Sequence, residues 1–280
     1  SDLMLFTDVS RAIVNTLIKK GYLAIEKKEI YRNPFKNKNI TPDKSLELTK
    51  EQENAKKSIE KSIKEKRYQE FLLFGITGSG KTEIYLQLIE KMINENKSSI
   101  VLVPEISLTP QMIDRFIARF GEDPIAVLHS KLSIGERYDE WKKIKEGKAK
   151  IVIGARSAIF APVENLGLII IDEEHDSSYK SEMNPRYDAK EVARYIAKDL
   201  NIPLVLGSAT PDMISYYNAI NGKIKLLELK NRANKSKLPD VEIVDLRREL
   251  ANGNRSMISV QLYKEIEENI KNKRQTILFL

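Results

Sequence analysis

The sequence contains no cysteine. That excludes a disulfide framework, a cysteine-ligated zinc site and a cysteine nucleophile within these residues, and it fits a reducing, cytoplasmic setting. Histidine is almost as scarce: His129 and His175 are the two present, so a histidine-rich metal site is excluded as well. Tryptophan occurs once, at position 141. Apolar runs are short. The stretch 168–171 is among the longest and falls far below the ~18 residues that cross a bilayer. The first residues lack a signal-peptide pattern, and no membrane partner is expected.

What the chain does have is charge. Of 280 residues, 47 are Lys or Arg and 40 are Asp or Glu, a formal net charge of +7. Residues 1–70 hold 16 of the basic and 11 of the acidic side chains, so most of the excess lies in the first quarter and hints at a polyanionic partner. With 41% hydrophobic residues there is material for a buried core, in one large domain or two to three small ones.

Short β-type runs recur at 71–74, 100–103, 125–128, 151–153, 168–171 and 204–206, each followed by a segment of helical spacing. This alternation predicts an α/β fold with a doubly wound parallel sheet, and runs that are apolar at every position belong to strands covered on both faces. The first 45 residues differ. A helix is expected over 9–20, stopped by Gly21, and 22–25 with 30–31 suggest a two-stranded wing. Helix then hairpin is the back half of a winged-helix unit, although any small αββ motif gives the same pattern. Residues 33–45 read as a linker. At the other end, an apparent strand at 241–246, a helix at 260–272 and an apolar run at 276–280 read as the start of a further unit. The expected organisation is 1–45 partial winged helix and linker, 46–228 an α/β lobe, and 229–280 the truncated start of a second lobe.

Gly75-Ile76-Thr77-Gly78-Ser79-Gly80-Lys81-Thr82 fits G-x-x-x-x-G-K-[ST], directly after one predicted strand and before a predicted helix. In such a loop the glycines let consecutive backbone N–H groups face a phosphate, and the helix start adds positive dipole. Lys81 would reach the β and γ phosphates and Thr82 would ligate Mg²⁺. A P-loop also needs a carboxylate near the metal, and Asp172, 91 positions after Lys81 at the end of Leu168-Ile169-Ile170-Ile171, supplies one. Glu173 beside it would polarise the attacking water. The pattern predicts nucleotide binding and Mg²⁺-dependent hydrolysis, without naming the nucleotide.

Asp172-Glu173-Glu174-His175 followed by Gly207-Ser208-Ala209-Thr210-Pro211 resembles the Walker B and "SAT" motifs of superfamily 2 helicases. Val103-Pro104-Glu105-Ile106-Ser107-Leu108-Thr109-Pro110-Gln111 and Gly154-Ala155-Arg156-Ser157-Ala158-Ile159-Phe160-Ala161-Pro162 narrow the likeness. The chain is similar over nearly its whole length to the bacterial replication restart helicases, the primosomal protein N′ (PriA) family. The resemblance implies a RecA-like lobe of an ATP-dependent 3′ to 5′ DNA helicase, with single-stranded and forked DNA, primosome proteins and single-stranded DNA-binding protein as partners.

Residue by residue, the likeness makes Gln52 an adenine-reading glutamine, which a side-chain amide suits because it donates and accepts at once. Thr109 would track the DNA backbone, and Arg156 with Ser157 would grip a single strand. Tyr179, Lys180, Arg186 and Tyr187 match an aromatic-rich loop that stacks on bases and reports DNA occupancy to the carboxylates. Ser208 and Thr210 would link hydrolysis to lobe movement. His175 either couples the site to motion or simply packs. Thr109-Pro110 and Thr210-Pro211 should each open a helix. Trp141, spaced helically with Tyr138 and Ile144, reads as core. The family's zinc-binding cysteines are absent here and would lie beyond Leu280. Its late arginine motif would lie there too, and an arginine finger is worth ~10³ to 10⁵ in rate, so these residues alone should hydrolyse ATP poorly. Two rival readings remain: an RNA helicase of the same superfamily, and a nucleotide-gated scaffold that binds DNA and recruits primosome proteins.

Overall fold

The computed structural model describes residues 10–24, 41–233 and 240–279. It divides into two compact units, 1–235 and 236–280. The expected wing and the linker fall largely outside the described residues. The helix before them is there, as α1, Arg11–Lys19.

The first unit is built on seven parallel strands: β1 Gln69–Gly75, β2 Ser98–Leu102, β3 Ile125–Leu128, β4 Ile151–Gly154, β5 Leu166–Ile171, β6 Pro203–Ser208 and β7 Lys225–Leu229. They lie in the order β3-β4-β2-β5-β6-β1-β7. The expected strands all appear, and β7 is an addition that pairs along the outer side of β1. The connecting helices are α2 Lys50–Glu65, α3 Lys81–Asn94, α4 Pro110–Phe120, α5 Ile134–Lys145, α6 Ala189–Asp199 and α7 Met213–Ile220.

Alternation along each strand divides the core in two. Leu168 and Ile170 of β5 join Val101, Val205, Ile84, Ile113 and Phe116 on one face, under α2, α3 and α4. Ile169 and Ile171 join Ile100, Leu206, Ile144, Ala193 and Ala197 on the other, under α5 and α6. Strands covered on both faces must be apolar at successive positions, which is why Leu-Ile-Ile-Ile carries no polar interruption. Burial at about 25 cal/mol per Å² of apolar surface makes these two layers the main stabilising contribution of the unit. Because every strand runs the same way, the loops after β1, β2, β5 and β6 emerge along one edge, where ligands bind in open α/β sheets.

Helix starts follow side-chain chemistry. Thr49 caps α2 in a reciprocal box with Gln52, and the Thr109 hydroxyl accepts from the Met112 N–H before Pro110 opens α4. The Thr210-Pro211 start is corrected: α7 begins at Met213, capped by Asp212, whose carboxylate accepts from the Ile214 N–H. Asp212 is held there because its own N–H donates to buried Glu174 at 2.7 Å.

The second unit holds α8 Leu246–Ala251 and α9 Val260–Lys271. Glu249 joins them by accepting from the Val260 N–H at 2.8 Å. The strand expected at 241–246 does not form, and 276–279 is likewise without regular structure. A strand needs a ladder partner, and among the described residues of this unit none is offered.

Candidate functional site

The loop between β1 and α3 is shaped by backbone. Gly78 and Gly80 have φ of 80° and 84°, the left-handed region that glycine enters without strain. At Gly80 there is a second constraint, since a Cβ would meet Gln52 Nε2 at 2.3 Å. Lys81, the first residue of α3, sends its ammonium back across the loop to the Gly75 carbonyl at 2.7 Å. Ser79 is buried, and among the described residues its hydroxyl has no partner. A Gly-rich bend over a helix start, with a lysine and an unspent hydroxyl inside it, fits a polyphosphate.

Gln52 lies beneath this loop, 3% exposed. Its Nε2 donates to the Ser79 carbonyl at 2.7 Å and its Oε1 accepts from the Thr49 N–H at 2.8 Å. Both halves of the amide are thus engaged within the chain, and the side chain braces the phosphate loop.

At the end of β5, Asp172 faces the same cavity. A cleft of about 440 Å³ is lined by Thr77, Gly78, Ser79, Gly80, Lys81, Thr82, Asp172 and Glu173 together. Burial, and then the neighbouring Glu173, push the Asp172 carboxyl above the usual carboxylate range, with the Tyr85 hydroxyl and Lys81 opposing them. Thr82 and Asp172 offer oxygen ligands to one cavity, the hard donor set that Mg²⁺ takes.

Several partners of Asp172 escaped sequence reading. Tyr85, one turn into α3, donates its hydroxyl to Asp172 Oδ1 at 3.0 Å. That phenol is fully buried, and burial followed by the Asp172 charge raises its pKa well above the ordinary value, so it stays a donor. Gly207 on β6 makes room for it: a Cβ there would stand 1.6 Å from the Tyr85 oxygen. Tyr179 donates to the Asp172 carbonyl at 2.5 Å.

Glu173 and Glu174 then diverge. Glu173 has φ of 44°, an uncommon conformation for a residue with a side chain. Glu174 is wholly buried, taking Lys190 Nζ at 3.1 Å, Ser215 Oγ at 3.0 Å and the Asp212 N–H. It ties the acidic cluster to the start of α7. His175 Nδ1 lies 2.8 Å from Ser208 Oγ and 3.6 Å from Glu173, and Ser208 Oγ accepts from the Thr210 N–H. The two motifs expected to communicate therefore touch through His175 and Ser208, with Glu174 as a second link that the sequence did not single out.

The residues assigned to DNA separate into two groups. Arg156 donates to the Ser178 carbonyl at 3.0 Å and also to that of Lys180, and its guanidinium lies over the Tyr187 ring at 5.6 Å. Ser157, Lys180 and Arg186 are exposed, and Thr109 is half-buried at its cap. Tyr179 is corrected: it is 1% exposed, so it has no ring face to offer a base. The core assignment of Trp141 is also corrected. Ile144 is buried, but Trp141 is 40% exposed and Tyr138 61%, because only one side of α5 meets the sheet.

A parallel sheet with a P-loop after its β1 strand, an acid pair facing it and a Ser-Ala-Thr turn alongside defines a RecA-like P-loop lobe. Residues 45–213 match the family described as "Type III restriction enzyme, res subunit", and the chain belongs to that family. It is 54% identical over 274 residues to Replication restart protein PriA of Bacillus subtilis (strain 168), covering 98% of this chain and 34% of that protein. To the protein of the same name from Synechocystis it is 44% identical over 285 residues, covering 100% and 34%. The chain thus spans about a third of the length of these relatives. Among solved structures, RecG bound to a three-way DNA junction superposes with a TM-score of 0.50 at 21% identity, covering 81% of this chain and 32% of that one. That likeness is one of fold. No helix among the described residues is long and apolar enough to cross a membrane.

Proposed function

We propose that this chain is the ATP-binding lobe of a DNA helicase of replication restart, acting 3′ to 5′ on single-stranded and forked DNA. The observation that carries it is one cleft holding both the phosphate loop and the acid pair, in a chain 54% identical to a replication restart protein. In this reading the backbone N–H groups of Thr77, Gly78 and Gly80, the Ser79 hydroxyl and the Lys81 ammonium hold the β and γ phosphates of ATP, while the Ser79 N–H closes the loop on the Ile76 carbonyl. Thr82 and Asp172 hold Mg²⁺, which when bound neutralises charge on the triphosphate. Tyr85 fixes the Asp172 carboxylate, and Glu173 accepts a hydrogen bond from the attacking water and aligns it. Gln52 supports the site by fixing the Ser79 carbonyl, which keeps the loop N–H groups turned inward.

Arg156, Ser157, Lys180, Arg186 and Tyr187 contact the strand, and Thr109 presents the start of α4 to its backbone. Coupling runs through Ser178, held by Arg156, to the next residue, Tyr179, whose hydroxyl is on Asp172. On the other side it runs through His175 and Ser208 to Thr210. Primosome proteins and single-stranded DNA-binding protein complete the assembly, in the cytoplasm.

The test is nucleotide binding and strand-stimulated hydrolysis, measured on this chain and on a full-length replication restart protein carrying the same changes. Lys81→Ala abolishes hydrolysis while DNA binding persists, and this chain alone binds ATP but hydrolyses it at least ~10³-fold more slowly than the full-length protein. Equal rates, or hydrolysis that survives Lys81→Ala, would refute the assignment. Stimulation by RNA but not DNA would transfer it to RNA unwinding.

A further inference from the structure

A second cleft, of about 570 Å³, opens where β3 and β4 end and shares no lining residue with the nucleotide cleft. Its volume is within the roughly 300–1,000 Å³ of small-ligand sites. Trp141 of α5, Phe160, His129, Arg137, Arg156 and Glu105 line it. Trp141 and Phe160 are 40% and 57% exposed, so both rings stand against the open space of the cleft.

The walls are ordered. Phe160 meets Tyr187 edge to face with centroids 5.0 Å apart, and the Arg156 guanidinium lies on that same Tyr187. The Lys145 ammonium stands 5.0 Å from the centre of the Trp141 ring. His129 Nδ1 accepts from the Lys131 N–H at 3.2 Å, which leaves Nε2–H as a donor, and burial lowers its pKa so that it is neutral at pH 7. Gly154 at the end of β4 lets the Leu128 carbonyl and Ala158 pack close beneath the cleft, since a Cβ there would meet them at 2.4 Å and 2.6 Å.

We propose that this cleft receives one nucleobase of single-stranded DNA, stacked on the indole of Trp141, with the flanking phosphates against Arg137 and Arg156. The chemistry favours a base within a strand over a free nucleotide. Rings stack on any base face, whereas two separated guanidiniums suit the successive phosphates of a backbone. Glu105, whose carboxylate accepts from the Ser130 hydroxyl, sits in the lining as an acid. It repels phosphate and accepts from an exocyclic amine, so the base edge points towards it and the backbone away. The inference rests on the DNA-motor reading above and adds a base contact to its backbone contacts.

Trp141 is the sole tryptophan, so fluorescence excited at the red edge, where tyrosine does not absorb, reports on this cleft. This chain is titrated with a short oligodeoxycytidylate while the anisotropy of the same strand, end-labelled, is followed. Quenching that saturates together with the anisotropy is expected, and an abasic strand of equal length binds at least about 5-fold more weakly without quenching. Trp141→Ala weakens binding by about 5- to 100-fold, whereas Trp141→Phe keeps most of it, with circular dichroism confirming that both variants fold. Anisotropy that rises without quenching, or an abasic strand that binds equally well, overturns the base contact and leaves the DNA reading standing. Equal quenching by deoxycytidine monophosphate overturns the strand as occupant. If no strand binds at all, the DNA reading fails and the base contact falls with it.

Discussion

At the nucleotide cleft most polar groups are fixed by the chain itself: Gln52 on the loop, Lys81 on the Gly75 carbonyl, Tyr85 on Asp172, Glu174 on Lys190. Around Trp141, rings and guanidiniums border open space, tied by ring contacts and by the carbonyls that hold Arg156 rather than by buried charged partners. The difference follows from what each cleft meets. A transferring phosphoryl group gains most from donors already aimed, so reorganisation there is wasteful. A strand that must pass along needs faces that accept any base and release it.

Changes at the nucleotide cleft should therefore alter stability or chemistry sharply, and a change at Trp141 itself should alter affinity alone. The largest effect is expected beneath the nucleotide cleft. Glu174→Ala leaves Lys190 buried with Asp212 as its remaining partner, and should destabilise the first unit by about 3–5 kcal/mol, read as a fall in urea midpoint at unchanged slope. A loss below about 1 kcal/mol would show that the network is loose. Next is Lys81→Ala, which should slow hydrolysis by at least about 10²-fold in phosphate-release assays and leave strand anisotropy unmoved.

Smaller is Tyr85→Phe. Losing one hydrogen bond to a buried carboxylate should reduce the gain that Mg²⁺ gives to ATP binding by about 3- to 10-fold, while affinity in EDTA stays the same. Gly207→Ala should do the same by displacing the phenol, and combining it with Tyr85→Phe should cost little more than either change alone, since both remove the same hydrogen bond. An effect of equal size in EDTA would show that Tyr85 is merely packing. The smallest is a gain. Since the folded-state pKa of Asp172 is raised, its ionised form opposes folding at neutral pH and ceases to do so once the group is protonated in both states. Asp172→Asn should then raise the melting temperature by a few °C at pH 7, a gain that fades below about pH 4, while abolishing hydrolysis.

How much of this could be read from residues depended on range. Six of the seven strands of the first unit, the P-loop and Asp172 were legible because strand spacing and a local motif announce them, whereas β7 was not read. Trp141 was misread because helical spacing places it near Ile144, and spacing cannot say how wide a stripe the sheet covers. Tyr179 was misread because its chain neighbours Ser178 and Lys180 are exposed while its own ring turns inward to the Asp172 carbonyl. Tyr85, Lys190 and Asp212 carry no motif. Their roles arise from contacts 16 to 87 positions apart in sequence, which only the packed sheet brings together. The strand expected at 241–246 shows the converse, where a β-type pattern found no neighbour to pair with.

The left-handed turn at Glu173 sorts the three consecutive acids. Asp172 and Glu173 border the cleft, and one step later Glu174 is inside the protein, sealed among Lys190, Ser215 and the Asp212 amide. Neighbours in sequence thereby become residents of two dielectrics, one wet enough for hydrolysis and one dry enough for an anchor. A single reversed torsion thus keeps reagent and foundation one peptide bond apart.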